Sequence, residues 1–513
     1  MAAWHRAHVP GHDMSRDRRL VRHPAPRGRP DARGRGLRAV VAGGGIAGLT
    51  AAIALAERGV TVDLYEREPY LGGRVGGWTT TLPDGTRTGM SRGFHAFFRQ
   101  YYNLRTLLRR ADPGLDVLTP VPDYPLVDAH GRTDTFQGLP LTPPWNALRF
   151  ALRSPTFTAR DLLRVDRRVA AALLDVRVPG TYTDLDRLDA REFLDRLRFP
   201  HAARHLAFDV FSRSFFAAPE RLSAAELAVM FHLYFLGSSE GLLFDVAAAP
   251  FDRLWDPLAA HLTRQGGTIH TGTAVTRIEP GTRHTVHTGD GAVEADAVVL
   301  ALDVGGLRRV VGDSPALGPR AWRDRIAALE NAPPFLVRRL WLDRPVDSGR
   351  PAFLATGGLP PLDNVSVLDR FDSDAAAWAR RTGGSVVELH AYAATVPRDE
   401  TSAALLTRLH RLYPETRDAG IVADLSEWRE DCPLFPPGSF ARRPGVETPV
   451  EGVVLAGDGI RVDLPVALME RAATTGWTAA NRLLAGWGVT GHDLESVPVR
   501  GRYAPLRLLP SAR

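Results

Sequence analysis

The stretch Val40-Val41-Ala42-Gly43-Gly44-Gly45-Ile46-Ala47-Gly48-Leu49 decides the fold. Residues 39–42 form a short apolar run of the kind that becomes a buried parallel strand. Gly43, Gly45 and Gly48 supply a G-x-G-x-x-G turn, residues 46–58 read as a helix that stops at Gly59, and residues 60–65 read as a second strand ending at Glu66. Each glycine has its own task. Gly43 makes the tight turn, Gly45 lets the backbone approach a pyrophosphate, and Gly48 lets helix pack on strand. The helix then turns its unpaired N–H groups and positive dipole end toward the phosphates, and Glu66 is placed to accept from a ribose. Strand, turn, helix, strand and acidic residue in register separate this unit from a merely structural glycine turn.

Working outward, Leu71-Gly72-Gly73-Arg74 follows Glu66 closely. Two glycines bring the chain near the pyrophosphate, and Arg74 can fork onto its oxygens. This extension is typical of proteins that hold FAD in an extended form. Near the other end, Gly452-Val453-Val454-Leu455-Ala456-Gly457-Asp458 is an apolar strand ending in Gly-Asp, and residues 464–484 are helix-like. It resembles the second FAD-contacting segment of such flavoproteins, in which the Asp meets the ribityl chain. FAD is the expected cofactor.

The 513 residues allow two or three domains. The one cysteine, Cys432, rules out an internal disulfide, fits a reducing compartment and reads as a structural thiol. No run reaches the roughly 18 apolar residues of a membrane span, so a cytoplasmic protein is expected. The net charge of +6 is uneven: residues 1–38 hold ten Arg and three Asp, leaving 54 basic against 55 acidic residues in the rest, and no lysine occurs anywhere. The expected organisation is a disordered basic leader over 1–37, in which Met14 is an alternative start. Arg18-Arg19 lacks the hydrophobic region of an export signal. A solvated leader is the plain reading of this charge, and no nucleic-acid partner is expected.

The expected fold class is α/β, a two-dinucleotide-binding-domain FAD fold with a Rossmann-like parallel sheet and β-meander, plus an α+β substrate domain with antiparallel sheet. The FAD-binding domain is discontinuous, over 38–105, 246–310 and 426–490. The substrate domain takes 106–245 and 311–425, and 491–513 is a tail. Residues 252–265 read as a helix closed by Gly266-Gly267, and 268–270 and 274–279 as strands. Residues 285–288 and 292–294 pair around Gly289-Asp290-Gly291, and 295–302 returns as a buried strand. In the second insertion 335–342, 365–370 and 385–393 read as strands and 401–412 as a helix.

At Gly93-Phe94-His95-Ala96-Phe97-Phe98-Arg99-Gln100-Tyr101-Tyr102-Asn103 the chain resembles the Gly-x-His-x-Phe-Phe-x-x-Tyr-x-Asn segment of plant-type phytoene and ζ-carotene desaturases and their relatives. The stretch Gly457-Asp458 to Leu464-Pro465-Val466-Ala467-Leu468-Met469-Glu470 is similar to that group's closing motif. Within the group, Met90 to His95, Asp123-Tyr124-Pro125-Leu126 and Leu139-Pro140-Leu141-Thr142-Pro143-Pro144 look most like actinobacterial carotenoid ring aromatases, the isorenieratene synthases or β-carotene desaturase/methyltransferases. Together these cover about 38 to 490. One departure is visible. The desaturases continue after the Glu with Gly-Ala-Val-x-Ser-Gly, whereas this chain reads Arg471-Ala472-Ala473-Thr474-Thr475-Gly476.

The resemblance implies an FAD-dependent enzyme that aromatises the β-ionone rings of β-carotene. A ring with a quaternary gem-dimethyl carbon cannot become aromatic by dehydrogenation alone, so one methyl must migrate. Hydride loss leaves a cation beside the quaternary centre, a 1,2-methyl shift follows, and no methyl donor is needed. FAD carries the redox step while the protein positions, excludes water and stabilises the cation. The flavin would be re-oxidised by a quinone or oxygen.

The implied cofactor-contacting residues are Gly43, Gly45, Ile46, Ala47, Gly48, Glu66, Arg67, Gly73, Arg74, Gly93, Phe94, Val275, Gly457, Asp458, Ala467 and Met469. The last of these face the flavin, and Val275 the adenine. His95 is the first choice for a proton acceptor and Glu470 the second. Phe208, Phe211, Phe215, Phe216, Phe231, Tyr234 and Phe235 are candidate pocket walls able to stabilise a cation, with Arg471 beside them. Aromatics at helical spacing are also ordinary core. His201 and His205 have the i, i+4 spacing of a metal pair but no patterned third ligand, so no metal is expected.

A lipophilic carotenoid substrate lies in a membrane, so peripheral association with the cell membrane is expected. Residues 145–164 interleave Trp145, Leu148, Phe150, Leu152, Phe157, Leu162 and Leu163 with Arg149, Arg153, Arg160 and Arg164, as an interfacial segment does. Pro155 interrupts it. Three readings stay open at this point: the ring aromatase, a carotene desaturase or other amine-oxidase-fold oxidase, and a flavin-less isoprenoid escort. Intact Glu66, Gly73-Arg74 and Asp458 argue against the last.

Overall fold

Five strands form a parallel sheet in the order Thr268–Thr271, Thr61–Glu66, Arg38–Ala42, Ala297–Leu300, Val453–Leu455. The computed structural model describes residue 17 and residues 19–157, 159–200, 203 and 213–501. The central strands are buried almost throughout, as an apolar run covered on both faces must be. The helix Ile46–Ala56 leaves no residue exposed and packs along the last helix, Leu468–Gly486. Their crossing is close because Gly476 has no Cβ; one there would stand 2.4 Å from the Ala47 carbonyl oxygen. An antiparallel meander of Val275–Glu279, His284–Thr288 and Gly291–Ala295 completes this half.

The other half is a seven-stranded sheet in the order Ile421–Arg429, Phe335–Leu342, Ser385–Ala391, Asn364–Val367, Phe353–Thr356, Leu126–Val127, Thr133–Asp134. All pairings in it are antiparallel except that of Phe353–Thr356 with Leu126–Val127. Phe335–Leu342 is central and wholly buried, and its two charged residues are paired across the sheet: Arg338 with Asp424 and Arg339 with Glu388, each at 2.6 Å. This is the α/β dinucleotide fold with an antiparallel substrate sheet that the sequence implies.

The expected elements occur with small shifts. Residues 365–370 divide into the end of a strand, Asn364–Val367, and a short 3-10 turn, Leu368–Arg370. The boundary at 425/426 cuts the strand Ile421–Arg429, which belongs entirely to the substrate sheet because its whole length pairs with Phe335–Leu342. A larger difference concerns the leader. Val21–His23 pairs with Leu494–Ser496, so the two expected loose ends tie each other. Asp17 is buried and accepts from the Tyr102 hydroxyl and from Ser238 Oγ. Basic composition hid this because a three-residue strand needs backbone partners rather than an apolar run. Residues 1–16 lie outside the described residues.

Candidate active site

The two halves share one cavity of about 360 Å³. At one end it is lined by Gly43, Gly45, Ile46, Ala47, Glu66, Arg67, Gly73 and Val275. The glycine loop behaves as its motif requires. Gly43 has φ +105°, and a Cβ there would meet the Ala301 carbonyl oxygen at 2.2 Å. Gly48 lies beneath the loop rather than on the cavity wall, where a Cβ would come within 1.8 Å of the Gly43 oxygen. Gly45 and Gly73 face each other across backbone alone, and the helix that begins at Ile46 has no side-chain cap. Its first N–H groups are thus left for a ligand.

Glu66 accepts from the Gly44 amide at 2.7 Å and the Glu68 amide at 2.9 Å. Burial raises its pKa while those amides oppose the shift. Carboxylate lone pairs remain for hydroxyl donors. Arg67 reaches across to Asp303 at 2.8 Å.

In the middle stand Arg74, Arg92, His95, Asp431, Cys432, Gly457, Asp458 and Met469. Arg74 donates to Asp458, and Arg92 to Asp431. Arg74 is thus held by Asp458, a partner the sequence reading did not give it. Cys432 sits beside Arg74, and burial pushes its thiol up to about 12. The last helix also begins here without a side-chain cap, at Leu468 with φ +52°. A leucine in this region is strained by roughly 1–3 kcal/mol. Two helix N-termini therefore converge on one cavity, which suits an extended anionic cofactor. Ala467, by contrast, is buried behind that turn and does not reach the cavity.

His95 lines the cavity, and its Nδ1 donates to the Gly93 carbonyl at 2.8 Å. A carbonyl only accepts, so Nε2 carries the lone pair. Burial pushes this imidazole down to about 4, keeping it neutral. Phe94 is also on the wall, whereas Gly93 serves a close approach: a Cβ there would stand 2.4 Å from His390 Cε1.

Glu470 is not at the cavity. Its carboxylate accepts from the Asn103 and Leu104 amides at 2.8 and 3.0 Å and from Asn103 Nδ2 at 2.7 Å, capping the helix Tyr102–Leu108. Burial pushes it up to about 8. Its expected catalytic place is therefore corrected to a structural one. Arg471 is corrected likewise. It turns away from the cavity to Glu226 at 2.7 Å, and Arg443 holds the other oxygen of Glu226 at 2.6 Å. A buried guanidinium needs such a partner.

The far end of the cavity is aromatic, but not as expected. Phe94, Tyr124, Phe216, Phe244, Phe335 and Phe353 line it. Phe94 stacks on Phe353 at 4.3 Å, and Tyr124 lies 4.9 Å from Phe244. Of the expected walls among the described residues, Phe216 lines the cavity. Phe215 packs on Phe435, and Phe231 on Phe235 at 5.0 Å, because i, i+4 aromatics on one helical run satisfy each other. Tyr234 stands one layer back, its hydroxyl bonded to that of Tyr101 at 2.5 Å. Phe208, Phe211, His201 and His205 lie outside the described residues. Among the described residues no cluster of three or more His, Cys, Asp or Glu could hold a metal, and no helix is long and apolar enough to cross a membrane.

Asn364, His390 and Tyr392 complete this end, and the motifs did not announce them. A signal existed, since Glu388 and His390 alternate along the strand Ser385–Ala391 and Tyr392 continues the same spacing just past its end.

The family model of the flavin containing amine oxidoreductases matches residues 46–484. A carotenoid phi-ring synthase from Streptomyces griseus is 58% identical, covering 97% of this chain and 98% of its own. Another from Chlorobaculum tepidum is 29% identical over 91% of each. Among solved structures, putrescine oxidase bound to putrescine superposes with a TM-score of 0.64 at 16% identity, covering 89% of this chain and 100% of its own, which is a likeness of fold alone. The chain belongs to the flavin-containing amine oxidoreductases and, within them, to the family of the carotenoid phi-ring synthases.

Proposed function

We propose that this chain binds FAD and converts the β-rings of a carotene such as β-carotene into aromatic rings, with one ring methyl migrating within the molecule. The observation that carries this is the single cavity leading from the Gly43–Gly45–Gly73 cradle, past Arg74 and Asp458, to the Phe94–Phe244–Phe353 chamber. When bound, the flavin supplies hydride acceptance. Gly45, Gly73 and the uncapped Ile46 terminus would hold the pyrophosphate, Glu66 the adenosine ribose, Ala274 and Val275 the adenine, and Asp458 with the Leu468–Met469 turn the flavin end. The aromatic chamber excludes water, and its ring faces stabilise positive charge on a hydrocarbon ring that offers no hydrogen bonds. The neutral His95 is a proton acceptor at the junction.

The same reading extends to a membrane surface. Among the described residues, four of the six exposed large hydrophobics fall together: Leu141 at 52%, Trp145 at 61%, Leu148 at 44% and Leu152 at 68%. Three of them lie on the helix Trp145–Arg153, beside Arg149 and Arg153. Behind it, Phe150 stacks on Phe136 at 5.1 Å, and Phe136 stacks on the cavity-lining Tyr124 at 4.3 Å. This short helix, ended before Pro155, is the proposed contact with lipid and the side from which carotene enters. Phe157 is not part of it, being buried against Phe199.

Expression in a host that makes β-carotene tests the reaction. Pigment with aromatic end rings should accumulate, each ring keeping all its carbon, with label from a geminal methyl retained on the adjacent carbon. Conversion of phytoene to coloured polyenes, with β-carotene untouched, would instead favour a desaturase.

A further inference from the structure

Turning a β-ring into an arene removes four hydrogens: two leave as hydrides and two as protons. The chamber therefore needs a route for protons as well as an oxidant. The strand Ser385–Ala391 and its continuation offer one, because Glu388, His390 and Tyr392 project from the same face.

Their bonds form an ordered series. Arg339 donates through Nε and Nη2 to Glu388 Oε2 at 2.9 and 2.6 Å. Glu388 Oε1 lies 2.8 Å from His390 Nε2, and His390 Nδ1 lies 2.9 Å from the Tyr392 hydroxyl. Asn364 Nδ2 donates to that hydroxyl at 3.1 Å. The direction follows from the ends of the series. A carboxylate only accepts, so His390 Nε2 carries a hydrogen, and in the neutral ring the lone pair is then at Nδ1. The Tyr392 O–H then points to Nδ1, and its oxygen accepts from Asn364. The Phe94 amide faces Nε2 at 3.3 Å, a longer contact. Burial would raise the Glu388 carboxyl, but Arg339 and His390 outweigh it and hold it at about 2, hence ionised.

A buried Arg–Glu–His series is costly to assemble, and one serving structure alone would end within the protein. This one ends at a cavity wall, since Asn364, His390 and Tyr392 all line the aromatic chamber.

We propose that Tyr392 is the group that takes a proton from the ring, relaying its own to His390. The inference rests on the ring-aromatising reading above. Once a hydride has gone to the flavin and a methyl has moved with its bonding pair, the ring is a cation. The electron pair of a neighbouring C–H bond becomes the new C=C bond. Its proton goes to the Tyr392 oxygen as the phenolic proton passes to His390 Nδ1. The resulting imidazolium is held against the Glu388 carboxylate. Tyr392 is catalytic in this step; His390, Glu388 and Asn364 position it and store the charge.

Purified holoenzyme carrying Y392F provides the test, with H95Q alongside. In anaerobic single turnover with β-carotene in detergent micelles, Y392F should hold wild-type amounts of flavin and bleach it at the wild-type rate. In steady-state assays with an added quinone to re-oxidise the flavin between the two hydride losses, aromatic product formation should fall roughly 100-fold, the size of a lost general base, with KM unchanged. Wild-type product formation should slow in D2O, and Y392F should lose that solvent isotope effect. Wild-type product formation by Y392F would overturn the relay, as would parallel loss of bleaching and product. The same signature in H95Q and not in Y392F would assign the proton to His95 and also overturn it. If the wild-type protein itself makes no aromatic product, the reading of the reaction fails first, and the wild-type control shows it.

Discussion

The two ends of the cavity are built by opposite strategies. At the glycine-loop end the wall is largely backbone, so its residues are fixed by short local motifs. Gly43, Gly45 and Gly48 lie within one turn, and Glu66 and Gly73 follow within one strand and loop. At the aromatic end side chains form the wall, and they come from segments far apart in sequence. Phe94, Tyr124, Phe244 and Phe353 meet only because a seven-stranded sheet and its neighbours bring them together. A nucleotide presents the same phosphates to every protein and therefore imposes the same loop. A hydrocarbon ring presents only shape, which many arrangements can match.

Breaking the dinucleotide end should have the largest effect. Gly48→Ala places a methyl 1.8 Å from the Gly43 oxygen, so the loop must open, and the purified protein should lose nearly all its flavin. Glu66→Ala should lose most of it, since the charged anchor of the ribose is gone. Full flavin absorbance in either variant would undo the assignment.

The carotene end should separate from the first. Phe353→Leu should keep its flavin, because Phe353 packs on Phe94, Tyr124 and Phe244, away from the glycine loop, and should slow aromatisation about tenfold, equal to some 1.4 kcal/mol of positioning and cation stabilisation. Phe231→Leu should leave turnover unchanged, as Phe231 faces Phe235 rather than the cavity. Product assays on the two variants side by side would distinguish a wall from a helix pair. Equal losses would erase the distinction.

The effect smallest on turnover concerns the outer surface. Replacing Arg149, Arg153 and Arg160 by Glu should weaken sedimentation with anionic liposomes, at about 1 kcal/mol for each basic residue near such a surface. Turnover on detergent-solubilised carotene should be unaffected. Unchanged liposome binding would make the helix Trp145–Arg153 an ordinary surface element.

The glycine turn, Glu66 and the Gly457-Asp458 strand end were legible in sequence, because spacing along the chain there equals position in space. His95 was legible too, held by a carbonyl two residues away. Glu470 and Arg471 were not. They are adjacent at a helix start near the cofactor, yet Glu470 caps the helix Tyr102–Leu108 and Arg471 closes on Glu226. Both partners lie hundreds of positions away, and a buried charge takes its role from its partner.

Sequence by itself determined the parallel sheet, the cofactor cradle and the family, since each depends on backbone geometry that a few glycines and one acidic residue dictate locally. Tertiary structure alone decided which aromatics line the cavity, that the two chain ends pair through Val21–His23 and Leu494–Ser496, and that Tyr392, His390 and Glu388 stand in series at the chamber wall. Those outcomes depend on strand register, where a shift of one residue turns every side chain to the other face.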